Sequence, residues 1–418
     1  MDQTPPVSTS DVFPTVQQEV VRLAGLPEVR SACARFRLEE PQFAEWQMEV
    51  SRVAAPPFGE TARGEWLAER FRKIGLADVH MDDAGNVFGL RPGLTDRFVA
   101  LSAHIDTVFP ASTPLTIRQQ GTRLYGPGVS DNGAGITAML AVANVLDSSR
   151  IPHALSFVFI GNVGEEGEGD LRGMRHVFQT PRWRDSIAYS VIVDGAGSDT
   201  VVAEALGSRR FEIIARGPGG HSWSDFGAPN PIIVLSRAIE MLSETPVPAS
   251  PKTTFNIGVI RGGTSVNSIP ESASMKVDLR STSMAEIDRL ERALRIALAH
   301  AVDAENRPAV PRGARRPQIA QCEIVEIGNR PAGELAPHAR LLQVIRAVDS
   351  QLGNTAQVQR ASTDANIPLS LGRQAIAIGG GGAGGGAHTL QEWFDCHGRD
   401  LGLRRILLTM LALAGVRE

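Results

Sequence analysis

Five clusters of polar side chains stand along the chain at points where an apolar run has just ended. They contain histidine, aspartate and glutamate, and imidazole nitrogens and carboxylate oxygens are the usual ligands of hydrolytic zinc. Side chains that follow the strands of a parallel sheet meet at one edge, so the clusters predict a single metal site. The clusters are His104–Asp106, Ser130–Asn132, Glu165–Glu166, Asp194–Gly195 and His388.

The number of these side chains is too large for one metal ion. A catalytic zinc ion has three protein ligands and one open position. We therefore predict two divalent metal ions that share Asp131. Zinc is the first choice, and cobalt or manganese stays open, because geometry and metal supply decide occupancy as much as ligand type does. The five predicted ligands are His104, Asp131, Glu166, Asp194 and His388.

Two further carboxylates have natural roles beside the metals. Asp106 is two residues after His104, so in an extended segment both side chains point the same way and Asp106 can orient the imidazole. Glu165 is adjacent to Glu166, so their side chains diverge. If Glu166 binds a metal, Glu165 is free to take a proton from a water molecule, which is the task of a general base.

Short apolar runs alternate with helical patterns, and these elements are expected to position the clusters. The alternation predicts an α/β fold, with a mostly parallel sheet flanked by helices. The predicted strands are 98–103, 154–160, 187–193 and 374–378, and the predicted helices are 60–74, 133–146 and 401–414.

The middle of the chain has a different pattern, in the order strand, helix, strand, strand, helix, strand. This order is typical of a ferredoxin-like α+β unit. We therefore predict an inserted lid and dimerisation domain at 207–328, between two parts of a catalytic domain at 1–206 and 329–418. The predicted elements are 209–216, 231–242, 253–260, 272–279, 285–302 and 318–327.

Composition excludes several classes of partner. The formal net charge is −4, and the many arginines are spread along the chain, so no basic stripe predicts nucleic-acid binding. No run approaches the roughly 20 apolar residues of a membrane helix, and residues 1–14 lack the pattern of a signal peptide. The cysteines Cys33, Cys322 and Cys396 are few and scattered, which favours a reducing compartment and predicts a cytoplasmic protein.

Six segments together resemble the superfamily of peptidase T, carboxypeptidase G, acetylornithine deacetylase and aminoacylase. They follow the order of that family, and the resemblance extends over nearly the whole chain from about residue 55. The segments are SAHIDTVFP (102–110), GPGVSDNGAG (126–135), GNVGEEGEGDLRG (161–173), GPGGHSW (217–223), NSIPESASMKVDLRS (267–281) and AHTLQEWFD (387–395).

The resemblance implies how the ligands divide between the two ions. Glu165 would be the general base, and the peptide bond between Asp131 and Asn132 would be cis. Asp194 stands where some members of the family carry glutamate. One ion would be held by His104, Asp131 and Asp194, and the other by Asp131, Glu166 and His388.

For the inserted domain, the resemblance implies a homodimer and closure over the substrate. His221 resembles a histidine that reaches the active site of the partner subunit and stabilises the oxyanion. Asn267 and Arg280 resemble residues that hold the substrate carboxylate, for which arginine offers a two-pronged fork. The segment 362–366 resembles one that lines the site in peptidase-like members.

Other functions fit the sequence less well. The glycine-rich run 379–386 lacks the lysine of a phosphate-binding loop, so we interpret it as a loop that delivers His388. No GxSxG motif supports a serine hydrolase. A degenerate homologue that only binds a ligand would be expected to lack a metal ligand or the base, and none is missing. We predict hydrolysis of a small peptide, with deacylation of an N-acyl amino acid as the alternative.

Overall fold

The computed structural model describes residues 15–307 and 319–416. Residues 1–14, in which we predict no signal peptide, and Gln318, the predicted start of a strand, lie outside the described residues. In the described part the strands are β1 (Ala77–Met81), β2 (Val87–Arg91), β3 (Thr95–His104), β4 (Arg118–Gln120), β5 (Arg123–Tyr125), β6 (Leu155–Asn162), β7 (Ile187–Val193), β8 (Thr200–Ala205), β9 (Gly207–Arg216), β10 (Gly220–His221), β11 (Thr253–Gly262), β12 (Ser268–Ile269), β13 (Ser272–Ser281), β14 (Gln321–Arg330), β15 (Gly333–Glu334), β16 (Gln357–Ala361), β17 (Gln374–Ile378), β18 (Ala383–Gly385) and β19 (Trp393–Asp395).

The helices alternate with these strands over most of the chain. Each helix and strand that we predict from the sequence is present, with ends that differ by at most a few residues. In the described part the α-helices are α1 (Val16–Gly25), α2 (Pro27–Leu38), α3 (Glu40–Ser51), α4 (Thr61–Ile74), α5 (Gly133–Ser149), α6 (Arg172–Gln179), α7 (Pro181–Ser186), α8 (Pro231–Ser243), α9 (Met284–Asn306), α10 (Arg340–Leu352), α11 (Asn366–Ser370) and α12 (Arg399–Ala414).

Nine strands form the central sheet, in the order β1-β2-β6-β3-β7-β17-β8-β15, with β16 beside β8. The middle strands β6, β3, β7 and β17 run parallel, and antiparallel pairs lie towards the edges. The apolar side chains of the middle strands are buried on both faces, as parallel strands require. Helices α4, α5 and α12 contribute to the core on one face, and α6 and α7 to the core on the other. The predicted α/β fold is confirmed.

Four helices precede the first strand, and the first three of them, α1–α3, were not predicted from the sequence. A capping box starts α1, because the Thr15 side chain accepts from the Gln18 backbone while the Gln18 side chain accepts from the Thr15 backbone. Pro27 and Pro41 then stand in the first turns of α2 and α3, where proline is tolerated. These helices pack against α5, α10 and α12, so they enlarge the core of the central sheet.

A second sheet, in the order β11-β13-β9-β14, is antiparallel throughout and carries α8 and α9. This is the strand order of a ferredoxin-like unit. It has its own apolar core, which includes Phe211, Val234, Leu279 and Leu294. Strand β14 runs to Arg330, two residues past our boundary at 328, and the exact domain bounds stay a prediction.

Two smaller sheets complete the described structure. Strands β10 and β12 form a two-stranded ribbon beside the second sheet, and β18-β19-β5-β4 form a four-stranded sheet that adjoins the central one. Among the residues described, none of the helices combines the length and the apolar character that crossing a membrane needs.

Candidate metal centre

The central sheet brings the five polar clusters to one edge. His104 is the last residue of β3, and Asp194 follows β7 directly. Glu165 and Glu166 come three and four residues after the end of β6, and the loop beyond β17 leads to His388. Because β6, β3, β7 and β17 are neighbouring parallel strands, their carboxyl ends meet, as the sequence predicts.

The ligand atoms form two groups that share one residue. Within each group, all the ligand atoms lie within 4.8 Å of one another. Asp131 belongs to both groups and gives one oxygen to each, since its Oδ1 is 3.2 Å from His104 Nε2 and its Oδ2 is 3.1 Å from His388 Nε2. The groups are His104, Asp131 and Asp194, and Asp131, Glu166 and His388.

In each group the histidine also lies within 4 Å of the second carboxylate. His104 Nε2 lies 3.8 Å from Asp194 Oδ1, and His388 Nε2 lies 2.9 Å from Glu166 Oε1. His104 is almost fully buried, whereas the side chain of His388 is 54% exposed. Replacing His104 would therefore disturb a buried part of the protein, whereas replacing His388 would change a partly exposed position.

The carboxylates of the cluster raise the pKa of both histidines. Burial lowers the pKa of His104, but the carboxylates of Asp106, Asp131 and Asp194 beside it outweigh this effect and hold that pKa well above its ordinary value. The hydrogen bond to Asp131 and the charge of Glu166 raise the pKa of His388 to about 9. A metal ion needs neutral imidazole, so it would replace the histidine protons as the positive charge.

Two details of the cluster fit a divalent cation. Asp131 Oδ1 is buried and lies 3.2 Å from His104 Nε2, but no donor among the described residues is aligned on it as in a hydrogen bond. His104 Nδ1 faces Asp106, 3.2 Å from its backbone oxygen and 3.6 Å from its carboxylate. This contact leaves His104 Nε2 as the ligand nitrogen, on the side of Asp131 and Asp194.

Asp106 also holds the loop that carries the two glutamates. Its Oδ1 accepts from the backbone N–H of Glu165 at 3.0 Å and its Oδ2 accepts from that of Glu166 at 2.8 Å. The carboxylate is fully buried. A single side chain thus positions His104 on one strand end and both glutamates on the next.

Glu165 and Glu166 point to different partners, as their adjacency predicts. Glu166 contacts His388, whereas Glu165 Oε1 accepts from Arg330 Nη1 at 2.9 Å. Burial raises the pKa of Glu165 well above its ordinary value, although the charges of Arg330 and His104 act in the opposite direction. A buried carboxylate with a raised proton affinity suits a general base.

The Asp131–Asn132 peptide bond is cis, as the resemblance implies. Asn132 caps α5, since its Oδ1 accepts from the backbone N–H of Gly135 at 3.0 Å. The same oxygen accepts from Gly195 at 3.0 Å, and Asn132 Nδ2 donates to the Val193 oxygen at 2.9 Å. Asn132 therefore ties the loop of Asp131 to the loop of Asp194.

A cavity of about 510 Å³ opens beside the cluster and is lined by Asp131, Asp194 and the glycine-rich run 382–385. Glycine is required in this wall, because a Cβ on Gly384 would lie 2.3 Å from Ser130 Oγ. The run forms β18, which pairs with β19, and so it is part of a sheet before it reaches His388.

Three predicted site residues are not brought to this cluster. His221 is exposed on β10, where its backbone donates to Asp225 Oδ2 at 2.8 Å. Asn267 is exposed next to β12, and Arg280 Nε donates to Asp278 Oδ2 at 2.6 Å. Among the described residues, none of their hydrogen bonds or ion pairs reaches a candidate metal ligand. Their roles toward substrate or partner subunit stay predictions.

Three buried charged residues around the cluster were given no role from the sequence. Arg330 contacts Glu165, Asp364 accepts from Asn162 Nδ2 at 2.6 Å, and Glu392 accepts backbone hydrogen bonds near Asp131. Asp364 and Glu392 stand inside segments named above, but nothing in the sequence of those segments sets them apart. Their burial, which the sequence does not display, is what marks them.

Comparison with known proteins agrees with this geometry. Two fungal proteins named probable carboxypeptidase are similar in part. The one from Ajellomyces capsulatus is 28% identical over 60% of this chain and 63% of its own length, and the one from Ajellomyces dermatitidis is 30% identical over 49% and 50%. The chain thus spans between half and two thirds of the length of these relatives.

Solved structures share the fold at low sequence identity. Aminopeptidase PepT from Bacillus cereus superposes with a TM-score of 0.71 at 20% identity, over 90% of this chain and 99% of that chain. The di-peptidase Dug1p from Saccharomyces cerevisiae gives 0.72 at 14% identity, over 95% and 100%. Residues 100–411, most of the chain, match the family model of peptidase family M20/M25/M40. The chain therefore belongs to peptidase family M20/M25/M40.

Proposed function

We propose that this protein is a two-metal hydrolase that cleaves an amide bond of a small peptide, with Glu165 as the general base. One observation carries the proposal. The five candidate ligands form two groups joined by the two oxygens of Asp131. A shared carboxylate is what two neighbouring ions need. Zinc is the proposed metal, since the donors are imidazole and carboxylate, and Co²⁺ and Mn²⁺ accept the same donors.

The chain's own residues would divide the work as follows. Bound at this cluster, two divalent ions would lower the pKa of a water molecule and polarise the substrate carbonyl. Glu165 accepts the proton of the attacking water and then delivers it to the leaving nitrogen. Asp106 keeps His104 and the glutamate loop in place. His221 of a second subunit would donate to the oxyanion, and Asn267 and Arg280 would hold the substrate carboxylate.

A peptide is the proposed substrate because the partial relatives are named probable carboxypeptidases, and two structural neighbours are named an aminopeptidase and a di-peptidase. Deacylation of an N-acyl amino acid needs the same chemistry. A panel of di- and tripeptides with free or blocked ends, set against N-acetyl amino acids, separates the two. Faster hydrolysis of the N-acetyl amino acids than of every peptide would replace the peptidase by the deacylase.

The experiment that tests the site compares wild type with Glu165→Gln. We expect kcat to fall by about 10²–10⁴-fold, the usual contribution of a general base, while two metal ions per chain remain bound. Glu168→Gln is the matched control, because Glu168 is exposed in the same loop. Loss of a metal ion in Glu165→Gln, or activity equal to that of the control, would refute the role of Glu165.

The assembly and the compartment are also part of the proposal. We propose a homodimer formed through the inserted domain, because His221 is exposed on strand β10 of that domain and no described residue of its own chain links it to the cluster. The three cysteines are free, and Cys396 is buried. Free thiols suit a reducing compartment, and we propose the cytoplasm.

A further inference from the structure

Arg330 stands where the second sheet meets the metal cluster. It is the last residue of β14, and only 6% of it is exposed. Its Nη1 donates to Glu165 Oε1 at 2.9 Å and to Ser362 Oγ at 3.3 Å, while its Nη2 donates to the backbone oxygen of Glu165. One guanidinium thus holds both the side chain and the backbone of the same glutamate.

The backbone on both sides of Arg330 is fixed to the central sheet's domain. On one side, Asn329 N donates to Asp170 Oδ1 at 2.9 Å and its oxygen accepts from Arg175 Nη2. On the other side, the Pro331 oxygen accepts from Asn366 Nδ2 at 2.9 Å. Arg330 therefore has little freedom to move away from Glu165.

Asn366 extends this anchor to the other connection between the two sheets. Its Nδ2 also donates to the oxygen of Leu206, at 2.9 Å, and Leu206 lies between β8 and β9. The two connections between the central sheet and the second sheet, at Leu206 and at Pro331, are thus both hydrogen-bonded to Asn366. Ser362, the first residue of the same segment 362–366, contacts Arg330. The segment 362–366, which resembles a site-lining segment of the family, thus also anchors the connections between the two sheets.

The contacts of Arg330 restrict Glu165 in a particular way. With Oε1 and the backbone oxygen both held, the side chain loses most of its rotamer freedom. Among the described residues, no hydrogen bond is made by Glu165 Oε2. A lysine would not reproduce the arrangement, because an ammonium is a point charge whereas guanidinium is a rigid fork.

We propose that Arg330 is a positioning residue that fixes the Glu165 carboxylate through Oε1 and presents Oε2 for proton transfer. The inference rests on the proposed role of Glu165 as the base. The end of β14 would then do two things: it connects the two sheets, and it positions the general base. A misplacement of about 1 Å in a reacting group costs about 10²-fold in rate, so the effect is measurable.

The first test measures hydrolysis by Arg330→Ala and Arg330→Lys. We expect kcat to fall by about 10²-fold in Arg330→Ala with KM changed less than about threefold, and Arg330→Lys to recover little of it. Millimolar guanidinium should partly restore Arg330→Ala but not Glu165→Gln, with equimolar urea as the blank. A kcat of Arg330→Ala within threefold of wild type would overturn the proposal.

Arg175→Ala is the matched control. Arg175 contacts the neighbouring residue Asn329 from α6 but makes no hydrogen bond to Glu165 among the described residues. It therefore reports on the attachment of β14 through Asn329 and Asp170, without a contact to Glu165. An equal loss of kcat in Arg175→Ala would show that attachment, not positioning of Glu165, explains the effect, and would overturn the proposal.

The second test needs no turnover. Hydrogen–deuterium exchange of the metal-free protein should show faster exchange of segment 163–169 in Arg330→Ala and unchanged exchange in Arg175→Ala. Unchanged exchange of this segment in both variants would overturn the proposal that Arg330 fixes Glu165. If wild type hydrolyses no peptide or N-acyl amino acid, the proposed function fails, and the exchange result still decides whether Arg330 fixes Glu165.

Discussion

Glu392 Oε1 accepts the backbone N–H of Asp131 at 2.7 Å, so a buried carboxylate holds the residue shared by both candidate metal groups. The same side chain accepts from Ser130 at 2.7 Å and Gly128 at 2.8 Å. Burial raises the pKa of Glu392 to about 7, although these three N–H groups lower it. Glu392 belongs to neither candidate metal group, yet it holds the backbone of the residue that both groups share.

Replacing Glu392 by Gln should therefore weaken metal binding. The amide keeps the size of the side chain but turns an N–H group toward backbone donors that need an acceptor. Residues that support metal ligands usually contribute about 10–100-fold to metal affinity, and we expect a loss of this size by calorimetric titration. Asp395→Asn is the control, since Asp395 is in the same segment and bonds to Arg123 instead. Equal affinities in both variants would contradict the role of Glu392.

The two histidines should respond differently to replacement by alanine. Each variant should bind one metal ion fewer than wild type. In the metal-free protein, His104→Ala should also lose about 3 kcal/mol of unfolding free energy, because it leaves buried carboxylates unpaired. Denaturant unfolding of both variants in a chelator tests this, and equal losses would contradict it.

For His388→Ala, the loss of unfolding free energy should be about 1 kcal/mol or less. The side chain of His388 is 54% exposed, so water screens its ion pairs with Asp131 and Glu166. Its pKa is raised to about 9 in the folded protein, so the stabilisation is present at low pH and disappears as the pH rises past 9. His388→Ala and wild type should therefore unfold alike above that pH, and a difference that grows with pH would exclude this origin.

The meeting of the five candidate ligands was predictable because a parallel sheet brings its strand ends together. His104 and Asp194 follow apolar runs that read clearly as strands, so their meeting needs no knowledge of side-chain packing. Arg330, Asp364 and Glu392 have no such signal. Glu392 is 261 positions from Asp131 in the chain, and only folding shows that it is buried against that loop.

Two other features, helices α1–α3 and the role of His221, could not be predicted from the residue pattern alone, for different reasons. Helices α1–α3 are short, with prolines in the first turns of α2 and α3, and their apolar side chains are buried only by packing against α5, α10 and α12. His221 was found through the resemblance alone. Its proposed target lies on another subunit, which the geometry of a single chain does not contain.

Mixing two inactive variants tests that intersubunit role. His221→Ala alone should lower kcat by about 10²–10³-fold, as loss of an oxyanion donor does. If His221 serves the partner, a mixed dimer of His221→Ala and Glu165→Gln contains one complete site. After co-refolding at equal amounts, about a quarter of wild-type activity should return, because half of the dimers are mixed. No recovery, or a monomer by sedimentation, would refute the shared site.

Asp364 should make the metal-free protein less stable as the pH rises. Its carboxyl is fully buried, and burial raises its pKa from 3.8 to about 7, against the charge of His104 and the hydrogen bond from Asn162. Below pH 4 the carboxyl is protonated in both the folded and the unfolded chain. Between pH 4 and 7 only the unfolded chain ionises, so stability falls by about 1.4 kcal/mol per pH unit, and above 7 the loss is complete.

Asp364→Asn removes this titration while its amide oxygen can still accept from Asn162 Nδ2. The variant should therefore gain stability relative to wild type as the pH rises from 4 to 7, with a constant difference above 7. Urea unfolding at several pH values in a chelator measures it, and Asp96→Asn, at an exposed position, is the control. A difference between Asp364→Asn and wild type that does not change with pH would mean that Asp364 is already ionised in the folded protein.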